Sequence, residues 1–226
     1  MTSVDTVLAQ LKAQARPDQL AAMARFGLTG DRRLGVAVPA MRRIAKQTGK
    51  DHQLALALWA TQIPEAMMVA SMIDRPESVT AAQMESWVKD FNAWDVCDQV
   101  CMNLFEKTPL AWPMIEAWSQ RPEEFVKRAA FTLIACLAWH DKQAGDERFI
   151  ALLPLIMAAA PDGRNYVKKG VSWALRHIGK RNANLHSVAL ATAQELQQLA
   201  ARSAKWIAAD VMRDLSGATT RKRLNQ

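Results

Sequence analysis

Apolar residues recur three and four positions apart along almost the whole chain, the spacing of one face of an α-helix. The pattern predicts helices over 3–14, 17–26, 39–48, 53–61, 64–73, 81–90, 95–106, 111–120, 123–139, 146–160, 165–180, 185–199 and 203–216. Ala, Leu, Gln, Glu, Lys, Arg and Met fill these segments, and all are strong helix formers. Alternating Val/Ile/Thr/Tyr runs, which would signal strands, are missing. Prolines open several segments, as in VPAMRR, IPEAMM and RPEEF, where a missing N–H costs nothing.

Successive helix pairs return at a spacing of about 35–45 residues, the range of HEAT and armadillo repeats. The rhythm predicts an all-α fold, an α-solenoid of HEAT-like helical repeats over residues 1–226 as a single domain. A compact helical bundle is the competing arrangement. A solenoid presents one concave face, and basic residues along it would form a groove for a duplex. Residues 218–226, within ATTRKRLNQ, read as a flexible basic tail.

Composition narrows the function classes. Half of the residues are hydrophobic and 23% are charged, an ordinary globular balance. The start, MTSVDTVLAQLKAQARPDQL, has no basic segment followed by an apolar run, so no secretory leader is expected. No apolar run approaches the roughly 20 residues that a membrane helix needs, so no membrane partner is expected. Cys97, Cys101 and Cys136 are too few for a disulfide framework and fit a reducing, cytoplasmic setting. Cys97 and Cys101 are one helical turn apart, but no second ligand pair follows, so they read as core residues rather than a metal site. The net charge is +7, which favours a polyanionic partner through phosphate neutralisation.

The charge is concentrated. From Arg164 to Arg181 there are six Lys or Arg and no Asp or Glu. Tyr166, Lys169, Trp173, Arg176 and Lys180 are spaced three or four apart and share one helix face. Val167, Val171, Ala174, Leu175 and Ile178 lie opposite and suit a core. An aromatic and basic stripe of this kind suits phosphates, sugars and bases. It equally fits a Trp packed beside a solvated basic face.

Three further segments carry possible chemistry. In FNAWDVCDQVC, Trp94 precedes a helix that Asp95 would start, and Asp98 follows Trp94 by four residues. A carboxylate beside an indole suits glycosidic chemistry, because it stabilises a cationic sugar while the ring packs on it. A capping Asp with a core Trp is the plainer alternative. In EEFVKRAAF, Arg128 offers a fork for phosphate, or a partner for Glu124 four residues earlier. In RRLGVAVPAMRRIAK, Arg32, Arg33, Arg42, Arg43 and Lys46 flank a Gly-Pro loop and a helix start, where phosphates bind well. They also read as a solvated face.

Taken together, these segments resemble the AlkD family of DNA alkylation repair glycosylases, a HEAT-repeat family. The resemblance runs from MARF (23–26) and LGVAVPAMRR (34–43) to SWALRHIGK (172–180), and includes Trp94 and Asp98 in WDVCD, Arg128 in KRAAF and Trp173 in KKGVSWALR. It implies that Trp94, Asp98 and Trp173 surround the deoxyribose of a damaged nucleotide while Arg128 holds the backbone. Phe26 stands where the family has a Tyr, and Ala37 and Val38 replace polar residues. Those departures concern minor DNA contacts.

The resemblance further implies hydrolytic excision of N3- and N7-alkylated purines from double-stranded DNA. Asp98, Trp94 and Trp173 are the catalytic set. Arg128, Lys169, Arg176, Tyr166, Lys180, Arg42 and Arg43 are the DNA-binding set. No metal or other cofactor is expected, and the protein is expected to act as a cytoplasmic monomer that joins the nucleoid when bound to DNA. The alternative is a HEAT-repeat protein that binds damaged or structured DNA without cleaving it, and a protein-interaction scaffold is a third reading.

Overall fold

Helix starts are well specified along this chain. Ser3, Asp51, Thr80 and Asn182 each turn a side-chain oxygen onto a backbone N–H three residues ahead, satisfying a donor that the first helical turn leaves open. Pro39, Pro64 and Pro154 occupy first-turn positions, where their fixed φ suits the helix. The computed structural model describes residues 2–30, 32–218, 220 and 222, and among them no strand occurs. The basic tail expected at 218–226 lies mostly outside the described residues. Among the described residues no helix is long and apolar enough to cross a membrane.

The chain divides into two compact units, Met1–Leu110 and Ala111–Gln226. The first contains α1 (Val4–Ala13), α2 (Leu20–Ala24), α3 (Val38–Thr48), α4 (His52–Trp59), α5 (Pro64–Ile73), α6 (Ala81–Lys89) and α7 (Trp94–Asn103). Its α5 is buried nearly all round, and α3, α4 and α7 pack on it. Trp59 and Trp87 stack with ring centres 3.9 Å apart, and the Trp59 indole donates to Asp90 at 2.7 Å. Phe91 and Phe105 extend this cluster.

The second unit contains α8 (Ala111–Ser119), α9 (Glu124–His140), α10 (Asp146–Ile150), α11 (Leu153–Ala159), α12 (Asn165–Gly179), α13 (Ala183–Gln198) and α14 (Arg202–Leu215). Its core is α9, in which every residue from Arg128 to Ala138 is buried. α12 lies along α9 and also packs on α13 and α14. That packing is close: a Cβ on Gly179 would meet Leu215 Cδ1 at 2.6 Å and Ala189 Cβ at 2.9 Å. Arg181 fastens the ends together, donating to the carbonyls of Ala138 and Ala144 at 3.2 and 2.6 Å and stacking on Phe149.

Three segments differ from the periodicity. The helix expected over 146–160 is broken into α10 and α11, because Pro154 has no N–H and its ring would clash with the carbonyl four residues back. The segment 17–26 is a 3-10 turn, Pro17–Gln19, followed by the short α2, and Gly27 then leaves at φ 78°. The helix expected to start at Asp95 starts one residue earlier and ends at Asn103, with a 3-10 turn, Phe105–Lys107, after it.

The turn before α12 is held by charge. Both Asp162 oxygens accept from the Arg164 guanidinium, at 3.0 and 2.6 Å, and Arg164 also reaches the Pro122 carbonyl. The Arg164 hydrogen bonds hold the Asp162 carboxyl below the usual carboxylate range. A depressed folded value stabilises the fold above the unfolded pKa of about 4, and that stabilisation is lost as pH falls through the folded value. Asp162→Asn is expected to lose about 1–2 kcal/mol at neutral pH. Its loss of stability on acidification, followed by urea unfolding from pH 7 to 3, should be shallower than that of the parent.

Candidate functional site

In the first unit, α7 carries the aromatic and acidic residues. Ala93 precedes it in extended conformation, so Trp94 is the first helical residue. The Trp94 indole N–H donates to the Phe26 carbonyl at 2.9 Å, while Phe26 as a residue is 72% exposed. Asp98 follows one turn later on the same face as Trp94, and both side chains are half-buried. Val96, Cys97, Val100 and Cys101 turn the other way into the core. Cys97, Cys101 and Cys136 are all buried thiols outside any disulfide. Among the described residues no group of His, Cys, Asp or Glu is arranged to hold a metal.

Asp95 does not start the helix; its carboxylate binds Arg33. The guanidinium meets both oxygens, at 2.6 and 3.0 Å, and the pair is almost wholly out of solvent. Arg33 was expected among solvated or phosphate-binding cations, and the structure makes it an anchor. The same loop is held from α5, where buried Glu65 accepts from the N–H groups of Leu34 and Gly35 at 2.7–3.1 Å. Gly35 sits at φ 77°, and a Cβ there would meet the Arg16 carbonyl oxygen at 2.6 Å, so only glycine fits. Arg33, Glu65 and Gly35 therefore place the Phe26 carbonyl and α7 relative to each other. Sequence reasoning missed Glu65, although a Glu in the first turn of IPEAMM is a recognisable anchor for N–H groups.

Arg42 and Arg43, expected to act together, point to different places. Arg42 joins Lys46 and Lys50 around one depression, and Arg43 lines another beside Gln10 of α1 and Gln14 just after it. Both are exposed, and neither is in the first turn of α3.

In the second unit, α12 has the two faces its sequence implies. Val167, Val171, Ala174, Leu175 and Ile178 are fully buried. The stripe itself divides into parts. Tyr166 stacks on Phe125 at 5.3 Å, and its backbone is clamped: Glu124 accepts from its N–H at 3.2 Å and Arg128 donates to its carbonyl at 2.8 Å. Arg128 is only 6% exposed, so it joins α9 to α12 rather than standing in solvent. Lys169 is exposed and Trp173 half-buried. Trp173 meets His177 edge-on at 5.7 Å, and His177 leads to the exposed Trp139. Arg176 and Lys180 face α14, where Lys180 pairs with Asp214 at 2.6 Å and Arg176 lies 3.5 Å from Asp210. Lys168 rests over the Trp206 ring at 4.8 Å, a contact the sequence pattern did not suggest.

The helix pairs and their order define a class: an all-α protein of HEAT-like repeats. A solved structure of a protein described as one of a new family related to the HEAT-like repeat DNA glycosylases, with affinity for branched DNA structures, has a TM-score of 0.81 to this chain at 18% identity, over 99% of this chain and 96% of that one. A designed armadillo repeat protein in complex with a (KR)4 peptide is a more distant match, with a TM-score of 0.40, 14% identity, and coverage of 99% of this chain and 87% of that one. No curated protein matches the sequence. The model of the DNA alkylation repair enzyme family matches residues 7–206, and this chain belongs to that family.

The anchor under α7 has a measurable weight. Arg33→Met leaves the Asp95 carboxylate without its guanidinium and is expected to cost about 3 kcal/mol. Adding Asp95→Leu should restore most of that loss, since neither charge then remains. Urea unfolding of the two variants checks both values.

Proposed function

We propose that this protein is a DNA glycosylase that releases N3- and N7-alkylated purines from duplex DNA by hydrolysing the N-glycosidic bond. The observation that carries the reading is the Trp94–Asp98 pair, an indole fixed by the Phe26 carbonyl with a carboxylate one turn along the same helix face. Membership of the DNA alkylation repair enzyme family supports it.

An alkylated purine of this type carries a formal positive charge, so it departs without prior protonation. As the glycosidic bond breaks, its electron pair goes to the purine and positive charge grows on the sugar. Asp98 offsets that charge and takes the proton of the water that attacks the anomeric carbon. The Trp94 ring packs on the sugar, where an aromatic face favours a nearby cation. The family resemblance gives Trp173 of α12 an aromatic role in the same chemistry. The products are a free alkylated base and an abasic site, and no cofactor takes part. Lys169 is exposed on α12 and suits a phosphate of the duplex. Arg128 supports α12 by holding the Tyr166 backbone. The protein would act as a monomer in the cytoplasm, on chromosomal DNA.

A second reading has observations of its own: binding of branched or damaged DNA without excision. The structural relative is described by its affinity for branched DNA, and Arg176 and Lys180 are engaged by α14 carboxylates instead of being open to phosphates.

Base release from a duplex containing N7-methylguanine separates the two. On the glycosylase reading, free base accumulates, and Asp98→Asn slows its release by at least about 100-fold. Duplex affinity in that variant should change by less than about threefold. Salt-dependent binding of duplex and junction DNA with no base released would favour the second reading.

A further inference from the structure

The structure gathers cations at one place that the Trp94–Asp98 pair does not use. Arg42 and Lys46 are one turn apart on α3, and Lys50 follows the Gly49 that ends this helix. With Met72 and Asn103 they surround a depression of about 350 Å³ that has no carboxylate among its lining residues. Lys50 Nζ donates to the carbonyls of Met72 and Asp74 at 3.1 and 2.6 Å. That explains Lys50 as a cap on the end of α5, where the helix dipole favours a cation. It uses two of the three donors of the ammonium and points the group at the depression. It does not explain Arg42 and Lys46, which are exposed and, among the described residues, have no ion pair.

Positive charge here exceeds local compensation. Burial, and then the charge of Lys107, push the Lys50 ammonium down from its ordinary range, against the opposing pull of Asp74 and Glu77. Lys107 itself donates to the Asn103 carbonyl at 2.8 Å, which keeps it beside the rim. An anion in the depression would relieve this repulsion. The donors are a guanidinium fork and two ammonium groups, which together suit the oxygens of a tetrahedral anion.

We propose that Arg42, Lys46 and Lys50 bind a phosphate group, and that in the cell it is a backbone phosphodiester of DNA. The second half rests on the DNA reading above; the first half does not.

Duplex affinity measured by fluorescence anisotropy over a range of NaCl concentrations tests the strand contact. Lys46→Ala should weaken binding of unmodified duplex by about three- to tenfold and lower the log–log salt slope by about 0.9, the value for one phosphate. Lys46→Glu should do more, and Lys12→Ala, an exposed cation on α1, should do neither. A titration with inorganic phosphate at constant ionic strength, read as the shift in Tm, tests the anion site without DNA. It should stabilise the parent saturably and leave Lys46→Glu unmoved. If the parent binds no duplex yet shows that phosphate effect, the DNA reading falls and the site stands as one for free phosphate. The same holds for the strand contact if duplex binds with an unchanged slope while phosphate still acts. An unaltered salt slope together with no saturable phosphate effect overturns the proposal.

Discussion

The candidate chemistry depends on a guanidinium and a carboxylate that meet almost out of reach of water, Arg33 and Asp95. The loop that carries Phe26 and Arg33 is anchored by charged side chains from elsewhere in the first unit. The N–H groups of Leu34 and Gly35 are taken up by the Glu65 carboxylate and the buried Arg33 guanidinium by Asp95. Charge pairs in a poorly solvated place are demanding about geometry, since a small displacement leaves two costly unpaired groups. The pair therefore fixes where α7 begins. The start of α7 fixes the Trp94 ring, and the Phe26 carbonyl then fixes its tilt. Two carboxylates, Glu65 and Asp95, thereby tie a surface loop to a helix end.

The second unit solves a similar problem with charged side chains that grip neutral groups. α12 must bury one face against α9 and keep the other available, although Tyr166 and Trp173 on that other face are themselves partly apolar. Glu124 and Arg128 on α9 hold the N–H and the carbonyl of the same residue, Tyr166. This fixes the rotation of α12 about its axis, and so decides which side chains point outward. Ser172 and an α14 carboxylate act midway along α12, where Asp210 accepts from the Ser172 hydroxyl at 2.6 Å.

Much of this was legible in the sequence. Periodicity in NYVKKGVSWALRHIGK separates the buried Val167, Val171, Ala174, Leu175 and Ile178 from the stripe, because burial of one helix face is a local property of spacing. The adjacency of Trp94 and Asp98 follows from the same geometry. Partnerships between distant segments were not legible. Nothing local marks Arg33 out from Arg32, yet Arg33 is buried against a residue 62 positions away while Arg32 is exposed and donates to the Thr61 carbonyl. Arg128 and the pair Arg176 and Lys180 resemble phosphate ligands by residue type and spacing. Their partners lie on α12 and α14, and a helical wheel drawn for one segment contains no information about another. Arg42 and Arg43 are neighbours in sequence but 100° apart around a helix, which is enough to send them to separate depressions.

The stacked indoles of Trp59 and Trp87 have an optical consequence. Two parallel chromophores with centres 3.9 Å apart couple their excited states, and the coupling vanishes once the rings separate. Both rings belong to the first unit, so the resulting near-ultraviolet circular dichroism signal reports on the packing of that half alone. A chain with eight tryptophans thus contains a built-in gauge by which melting of one half can be followed apart from the other.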